Sequence, residues 1–480
     1  MSAVTTPTGG DIPSGTGLFG PVLHNGPVAA LTDDTAWLRA LLAFEAALAE
    51  AQADAGLATS AEAAAVRQAC RPDAFDVDEL GRAARADGNP VIALVRRIVA
   101  LVEADTGATR PSGAAVVAGS AGGAASLVHR GATSQDALDT AAMLLTVVAL
   151  DAVEGDLRRA LAAAVALAEA GRDQPMAGRT LGRQAAPITF GFKAASWAVG
   201  LARAGRGVAR VRREVPAVQL GGAVGTLSVL GDRGPAVVSA LARRLGLGEP
   251  AVAWHTERSR IGELAGALAV VAGAVAKVAG DVVLLGQSEV AEVRDTEPGR
   301  GGSSAMPHKR NPVAAVAARA SAASVAGPVA VLLGSMAHEH ERAAGPWHAE
   351  WLPLVEALRS TGSAVAWLAD ALEHLEPDPA AMAANLARDG GLLQAETVAA
   401  GLAPLLGRLP AQDVVRLAAD DARARSVSLR TALGARPEIA RLVTGGMVGE
   451  ATLDRWCDPA TAVGTASAAV DRALAEVRRW

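Results

Sequence analysis

Along most of this 480-residue chain the apolar residues recur three and four positions apart, the interval that lines one face of an α-helix. Trp37, Leu41, Phe44 and Leu48 follow that spacing and predict a helix over Asp34–Gly56, with Asp33 or Asp34 placed to cap it. Two longer runs, Asp136–Gly171 and Ile261–Val293, predict helices of about 45–50 Å at the usual rise per residue. The breaks between and after them are polar or glycine-rich: Arg172–Pro187, Gln219–Thr226, Gly231–Gly234 and Asp295–Asn311. Long, β-poor stretches joined in this way predict an all-α fold built on an elongated helix bundle.

The pattern changes along the chain. The first 30 residues are rich in Gly, Pro and Thr and predict an irregular arm. Thr106–Ser126 is Gly- and Ala-rich and reads as a linker, and beyond Arg359 the helices shorten between Pro and Gly breaks. Three domains are expected, over residues 1–126, 127–359 and 360–480, with no internal repeat. Two apolar segments raise the question of a membrane. Leu264–Ala276 is too short to span one. Ala320–Ala337 is long enough but rich in Ser, Gly and Ala and interrupted by Pro328. Both are read as buried helices, inside one chain or between subunits, and no membrane is expected.

Composition refines this picture. Apolar residues make up 51% of the chain but aromatics only 3%, with no Tyr, so Ala, Val and Leu must fill the core. Small side chains favour closely approaching helices. A net charge of −5 over this length gives no reason to expect nucleic acid. Two cysteines, Cys70 and Cys457, make no disulfide framework and are read as inert packing residues. With no signal-peptide pattern in Met1–Pro13, a cytoplasmic location is expected.

The chemistry concentrates in one break, Gly301-Gly302-Ser303-Ser304-Ala305-Met306-Pro307-His308-Lys309-Arg310-Asn311-Pro312. Glycines at 299, 301 and 302 permit a loop that closes over a substrate. A serine there removes a proton only if its alkoxide is stabilised, which loop N–H groups and Lys309 can provide. The plain alternative is a solvated Ser/Gly surface loop. Seven defined positions within ten residues resemble the signature G-S-S-x-M-P-x-K-x-N of the fumarase/aspartase superfamily, and the resemblance extends over about residues 30 to 400. It implies Ser303 as the base that takes the proton next to a carboxylate. Lys309 and Asn311 steady the aci-carboxylate, and Ser304 and Met306 touch the substrate.

Two further blocks carry the same resemblance. In His129-Arg130-Gly131-Ala132-Thr133-Ser134-Gln135-Asp136 the hydroxyls of Thr133 and Ser134 would bind a carboxylate at a helix N-terminus, a natural anion site. An ordinary cap is the plain alternative, and both can hold. Gly178-Arg179-Thr180-Leu181-Gly182-Arg183-Gln184 occupies the region usually written G-R-T-H-x-Q, placing Arg179, Thr180 and Arg183 at the substrate. The chain departs there: Leu181 stands where a histidine is usual, and Gly88–Ile92 lacks the histidine of the adenylosuccinate lyases. Leucine transfers no proton, so the leaving group is expected to be a weakly basic anion.

This points to the branch similar to 3-carboxy-cis,cis-muconate cycloisomerase. The alternatives are a C–N lyase that eliminates nitrite from nitrosuccinate to give fumarate, and a non-catalytic protein on the same fold. His255 is a candidate acid or a structural histidine. Arg342 pins a carboxylate or is an exposed helix charge, and Arg183 binds an extra anionic group or is merely salt-bridged. His338, His340 and His348 form no H-E-x-x-H pattern, so no metal is expected, and the chemistry implies no cofactor. The resemblance further implies a small polycarboxylate substrate and a homotetramer whose sites draw on several subunits.

Overall fold

The computed structural model describes residues 17–106 and 123–480. The arm expected over the first 30 residues therefore falls partly outside the described residues, and so does most of the linker expected at Thr106–Ser126. From residue 17 the chain already forms short helices, Gly20–Leu23 and Val28–Leu31. The described chain is helical apart from two antiparallel two-stranded ribbons. It divides into two compact units, each assembled from three stretches: Met1–Asp156, Ala204–Gly273 and Ala320–Trp367 in the first, Leu157–Arg203, Ala274–Arg319 and Leu368–Trp480 in the second.

In the first unit, the helix Asp34–Asp54 begins where its cap dictates, Asp33 accepting the N–H of Ala36 at 2.8 Å. The next helix, Ser60–Ala69, starts with a capping box, in which Thr59 and Glu62 satisfy each other's free backbone N–H groups. Phe44 and Leu48 are fully buried, each worth about 1.5–3 kcal/mol of apolar burial. They join a core that includes Val66, Leu94, Ile98, Leu138, Leu241 and Trp347. The N-terminal half of the helix Ser134–Ala170 and the start of Ser259–Leu285 belong to this unit. The buried positions of Ser134–Ala170 include Ala137, Ala141, Ala149, Ala160, Ala164 and Ala168, as a chain poor in aromatics requires.

Two expected elements come out differently. Ser259–Leu285 ends at Leu285 rather than continuing to Val293. The chain turns after Gly286, passes Ala291 at a left-handed φ of 51° and enters the short strand Val293–Asp295, which pairs with Leu375–Pro377. The segment 320–337 is not one helix: it breaks at Val325 between Val313–Ser324 and Ala326–Gly334, with Pro328 in the first turn of the second. Both apolar regions are only partly covered by this chain. The most apolar windows of Ser259–Leu285 and Val313–Gly334 are 44% and 39% buried, and both segments are long and apolar enough to cross a membrane. Val270, Leu284, Val316, Val331 and Leu333 remain exposed.

Both ribbons belong to the second unit. Arg172–Pro187, expected to be a plain break, contains the hairpin Pro175–Thr180 and Arg183–Thr189. Its two-residue tip, Leu181-Gly182, has φ of 51° and 77°, the pair of positive values a type I′ turn needs. A Cβ on Gly178 would stand 2.5 Å from the carbonyl oxygen of Ala186 on the opposite strand, so glycine is required where the register shifts. The C-terminal helices pack around Val398, Leu402, Val415, Leu433 and Leu453.

Candidate active site

The expected site residues fall into two sets, one in each unit. In the first unit Thr133 caps the helix Ser134–Ala170, and its own N–H donates to Asp136 Oδ2 at 2.9 Å, so the block at 133–136 is a helix cap as well as a candidate anion site. Asp136 is fully buried and fully used. Its Oδ1 accepts from Gly221 N at 3.1 Å and lies 2.7 Å from His255 Nε2, and its Oδ2 also accepts from Gly222 N at 2.9 Å. The carboxylate thus ties the helix start to the Gly221-Gly222 turn. His255 is 3% exposed and its Nε2 is committed to Asp136.

Arg342 sits at the rim of this turn. Its Nη1 donates to Thr133 Oγ1 at 2.8 Å, and its Nη2 to the carbonyls of Gly222 and Ala223 at 3.2 and 3.0 Å. All three partners are neutral, and among the described residues no carboxylate lies within ion-pair distance of it. A guanidinium oriented but not neutralised beside a helix N-terminus is suited to a carboxylate ligand. Ser134 is half-buried next to it.

Behind the turn lies a buried ionic cluster that the sequence reading passed over. Arg258, almost fully buried, donates to Asp139 at 2.8 and 3.2 Å and to both oxygens of Glu350, and lies over the Trp254 ring. Trp347 Nε1 also donates to Asp139, at 3.1 Å. Burial pushes the Glu350 carboxyl above the usual range, against the pull of Arg258. Asp136 and Asp139, three residues apart on one helix face, were the available signal. A second support precedes the cap. Glu45 Oε2 accepts the His129 backbone N–H at 3.0 Å, and its Oε1 lies 2.6 Å from the ring Nδ1. Burial opposes charging of His129, but Glu45 overrides it and holds the imidazole above its ordinary value.

In the second unit the signature loop stands exposed between two backbone anchors. Asn311 N and Nδ2 both donate to the Gly301 carbonyl, at 2.8 and 3.1 Å, and close the loop at its base. A Cβ on Gly301, at φ 80°, would fall 2.3 Å from the Asn311 carbonyl oxygen. One amide hydrogen of Asn311 is therefore committed to loop closure. At the tip, Ser303 Oγ accepts the N–H groups of Ala305 and Met306 at 3.3 and 3.1 Å. Two backbone donors already aimed at that oxygen are what an alkoxide needs. Ser304, Met306 and Lys309 are exposed, and no carboxylate among the described residues pairs with Lys309.

The hairpin positions split. Arg179 donates to both oxygens of Glu292, at 2.7 and 2.8 Å, and Glu292 is completely buried and also accepts from Asn385 Nδ2. This bidentate pair anchors the hairpin beside the stem of the signature loop, so Arg179 already has a structural partner. Thr180, Leu181 and Arg183 are exposed at the tip, and Arg183 has no ion-pair partner among the described residues. His340 and His348 are exposed, and no group of metal-ligating side chains forms among the described residues.

Compared with known families, residues 29–327 match the family described as lyase. The chain belongs to this lyase family, within the fumarase/aspartase superfamily. Similar lyase-family proteins include a nitrosuccinate lyase of Streptomyces davaonensis, 42% identical over 469 residues that cover 95% of this chain and 94% of the relative. A 3-carboxy-cis,cis-muconate cycloisomerase of Bradyrhizobium diazoefficiens is 39% identical over 464 residues, covering 96% and 98%. The crystal structure of the 3-carboxy-cis,cis-muconate lactonizing enzyme from Pseudomonas putida superposes with a TM-score of 0.87 at 35% identity, covering 96% and 99% of the two chains. Fold, enzyme class and the branch read from Leu181 agree with these lyase-family relatives.

Proposed function

We propose that this lyase-family chain is a cycloisomerase of the 3-carboxy-cis,cis-muconate type, in which Ser303 handles the proton at the carbon next to a carboxylate. The observation that carries this is the pair of N–H groups on Ser303 Oγ, a preformed cradle for its alkoxide. In the lactonising direction a substrate carboxylate oxygen bonds to an alkene carbon. The double-bond electrons move towards the neighbouring carboxylate, and the serine hydroxyl delivers its proton to the carbon between. Lys309 and the remaining amide capacity of Asn311 steady the charge that builds on that carboxylate, and Arg342 with Thr133 and Ser134, supplied by another subunit of the assembly, holds another. Ser304, Met306, Thr180 and Arg183 complete the substrate contacts. Leu181 supplies no acid, and none is required when the group that adds or leaves is a carboxylate. No cofactor enters this scheme.

A second reading has its own support in the similarity to the nitrosuccinate lyase. There Ser303 as alkoxide takes the proton, the C=C bond forms, and nitrite departs with the electron pair of the C–N bond. We further propose a homotetramer, supported by the apolar positions left exposed on Ser259–Leu285 and Val313–Gly334, and a cytoplasmic enzyme.

The test is an ultraviolet assay of purified protein with carboxymuconate and with nitrosuccinate. Loss of the diene absorbance supports the first reading; fumarate and nitrite support the second. Ser303→Ala should lower turnover by about two to four orders of magnitude. Wild-type rates in that variant would remove Ser303 as the base.

A further inference from the structure

The stem of the signature loop carries a closed circuit of charges outside the site described above. Asp295 ends the strand Val293–Asp295 and accepts from Arg300 Nε and Nη2 at 3.0 and 2.9 Å. Arg300 Nη1 reaches Asp370, near the end of the helix Pro346–Glu373. Asp370 Oδ1 lies 2.9 Å from His374 Nδ1, and His374 Nε2 lies 2.8 Å from Glu297 Oε2, back on the stem. The backbone follows the same path, because Thr296 N and Oγ1 both donate to the His374 carbonyl at 2.9 Å. Three carboxylates thus share an arginine and a histidine, the second a cation only when protonated. A cavity of about 300 Å³ lies against this knot, and both ends of the loop line it, Pro298–Arg300 on one side and Arg310–Pro312 on the other.

We propose that His374, joined to Glu297 and Asp370, is a positioning latch for the loop that carries Ser303, closed while the imidazole is protonated and open when it is not. A protonated ring presents Nδ1–H to the Asp370 carbonyl with that residue's carboxylate beside it, and Nε2–H to Glu297. A neutral ring keeps one N–H and turns a lone pair on the other carboxylate, so one contact becomes repulsive. The cavity gives the freed stem and loop base room to shift.

The charged groups facing the ring are Asp370 on its own helix and Glu297 and Arg300 on the stem. Nearby Arg294 and Glu376 pair with each other, as do Arg159 and Glu373. The bond to the Asp370 carbonyl, then the two carboxylates, hold His374 above the ordinary histidine value, with desolvation and Arg300 opposing. A group raised in this way contributes fully at pH below its ordinary value. Its contribution is lost as the pH climbs through the raised one.

The latch rests on the reading of Ser303 as the base, so the test has one readout that needs no turnover. Hydrogen exchange of the peptide covering 299–310 is followed against pH in the full-length protein, corrected for intrinsic rates, beside the pH profiles of kcat and KM. In the wild type, exchange should rise and kcat fall as the pH passes above the histidine range. His374→Gln and Glu297→Gln should show fast exchange throughout and a kcat about two- to fivefold lower with KM nearly unchanged, the range expected for part-exposed ion pairs. Both should lose the alkaline step, and His374→Lys, with a fixed charge, should restore the closed state at high pH. Wild-type pH profiles in both Gln variants would overturn the latch, as would an exchange step with no matching change in kcat. An active Ser303→Ala protein would overturn the base assignment instead, leaving the exchange step to judge the latch.

Discussion

Replacing Arg179 with alanine separates two roles for a residue that the family pattern places at the substrate. In the structure its guanidinium is locked on Glu292, which is completely buried and has Asn385 as its other side-chain donor among the described residues. Removing the cation leaves a buried carboxylate whose remaining cation is Lys193, beyond ion-pair distance. It either remains charged, at about 3–5 kcal/mol for a broken buried pair, or takes up a proton. Protonation at pH 7 costs about 1.4 kcal/mol for each unit above the ordinary carboxyl value, about 3–4 kcal/mol in all. The second route sets the ceiling, so the variant should lose about 3 kcal/mol at pH 7 and only about 1 kcal/mol at pH 5. The sign follows from linkage: a carboxyl forced to be neutral in the fold penalises it above its unfolded value, and the penalty fades as the pH falls towards that value. Urea unfolding followed by circular dichroism at the two pH values measures both numbers. The pair Arg179→Met with Glu292→Met should recover most of the loss, because apolar groups of similar volume need no counter-charge. The reasoning is refuted if stability is unchanged at pH 7, or if the loss is equal at both pH values. A rise in KM with no loss of stability would make Arg179 a substrate contact and not an anchor.

Other consequences can be checked directly. Gly301→Ala meets both a positive φ and the Asn311 backbone, so the loop base should open and kcat fall at least about tenfold, with the unfolding midpoint shifted little. Arg342→Met removes an oriented, unneutralised cation and should raise KM for a polycarboxylate about ten- to a hundredfold, more than it lowers kcat; an unchanged KM would return Arg342 to an ordinary surface charge. Burial pushes the Cys70 thiol up to about 12 and raises that of Cys457, so neither should react with a thiol reagent at pH 8 until the chain is denatured; rapid labelling of the native protein would contradict this.

The helices were legible because their signals are local. Asp33, Thr59 and the spacing of Trp37 to Leu48 carry their meaning within one or two turns. The signature loop was legible for a different reason, since its defined residues from Gly302 to Asn311 match a family signature. What escaped depends on contacts between distant residues. The hairpin at 175–189 has a Leu-Gly tip rather than the usual Asn-Gly, and its requirement for Gly178 appears only when Ala186 lies opposite. Glu292 looked like the last turn of a helix until its pairing with Arg179, more than a hundred residues earlier, showed why the chain turns there. Likewise the partner of His255, Asp136, lies more than a hundred residues away along the chain.

The hairpin tip carries a consequence for how such an enzyme changes its chemistry. Leu181 is fully exposed in its own chain and holds a left-handed backbone that leucine tolerates poorly and histidine tolerates better. A side chain that touches nothing in its own fold can be exchanged without repacking a core. On the proposed reading, Leu181→His should therefore leave the unfolding midpoint unchanged or slightly higher while adding a proton donor beside the leaving group. Selection on leaving-group chemistry is then decoupled from selection on folding, and related lyases can diverge in reaction through this position while the helical scaffold stays the same.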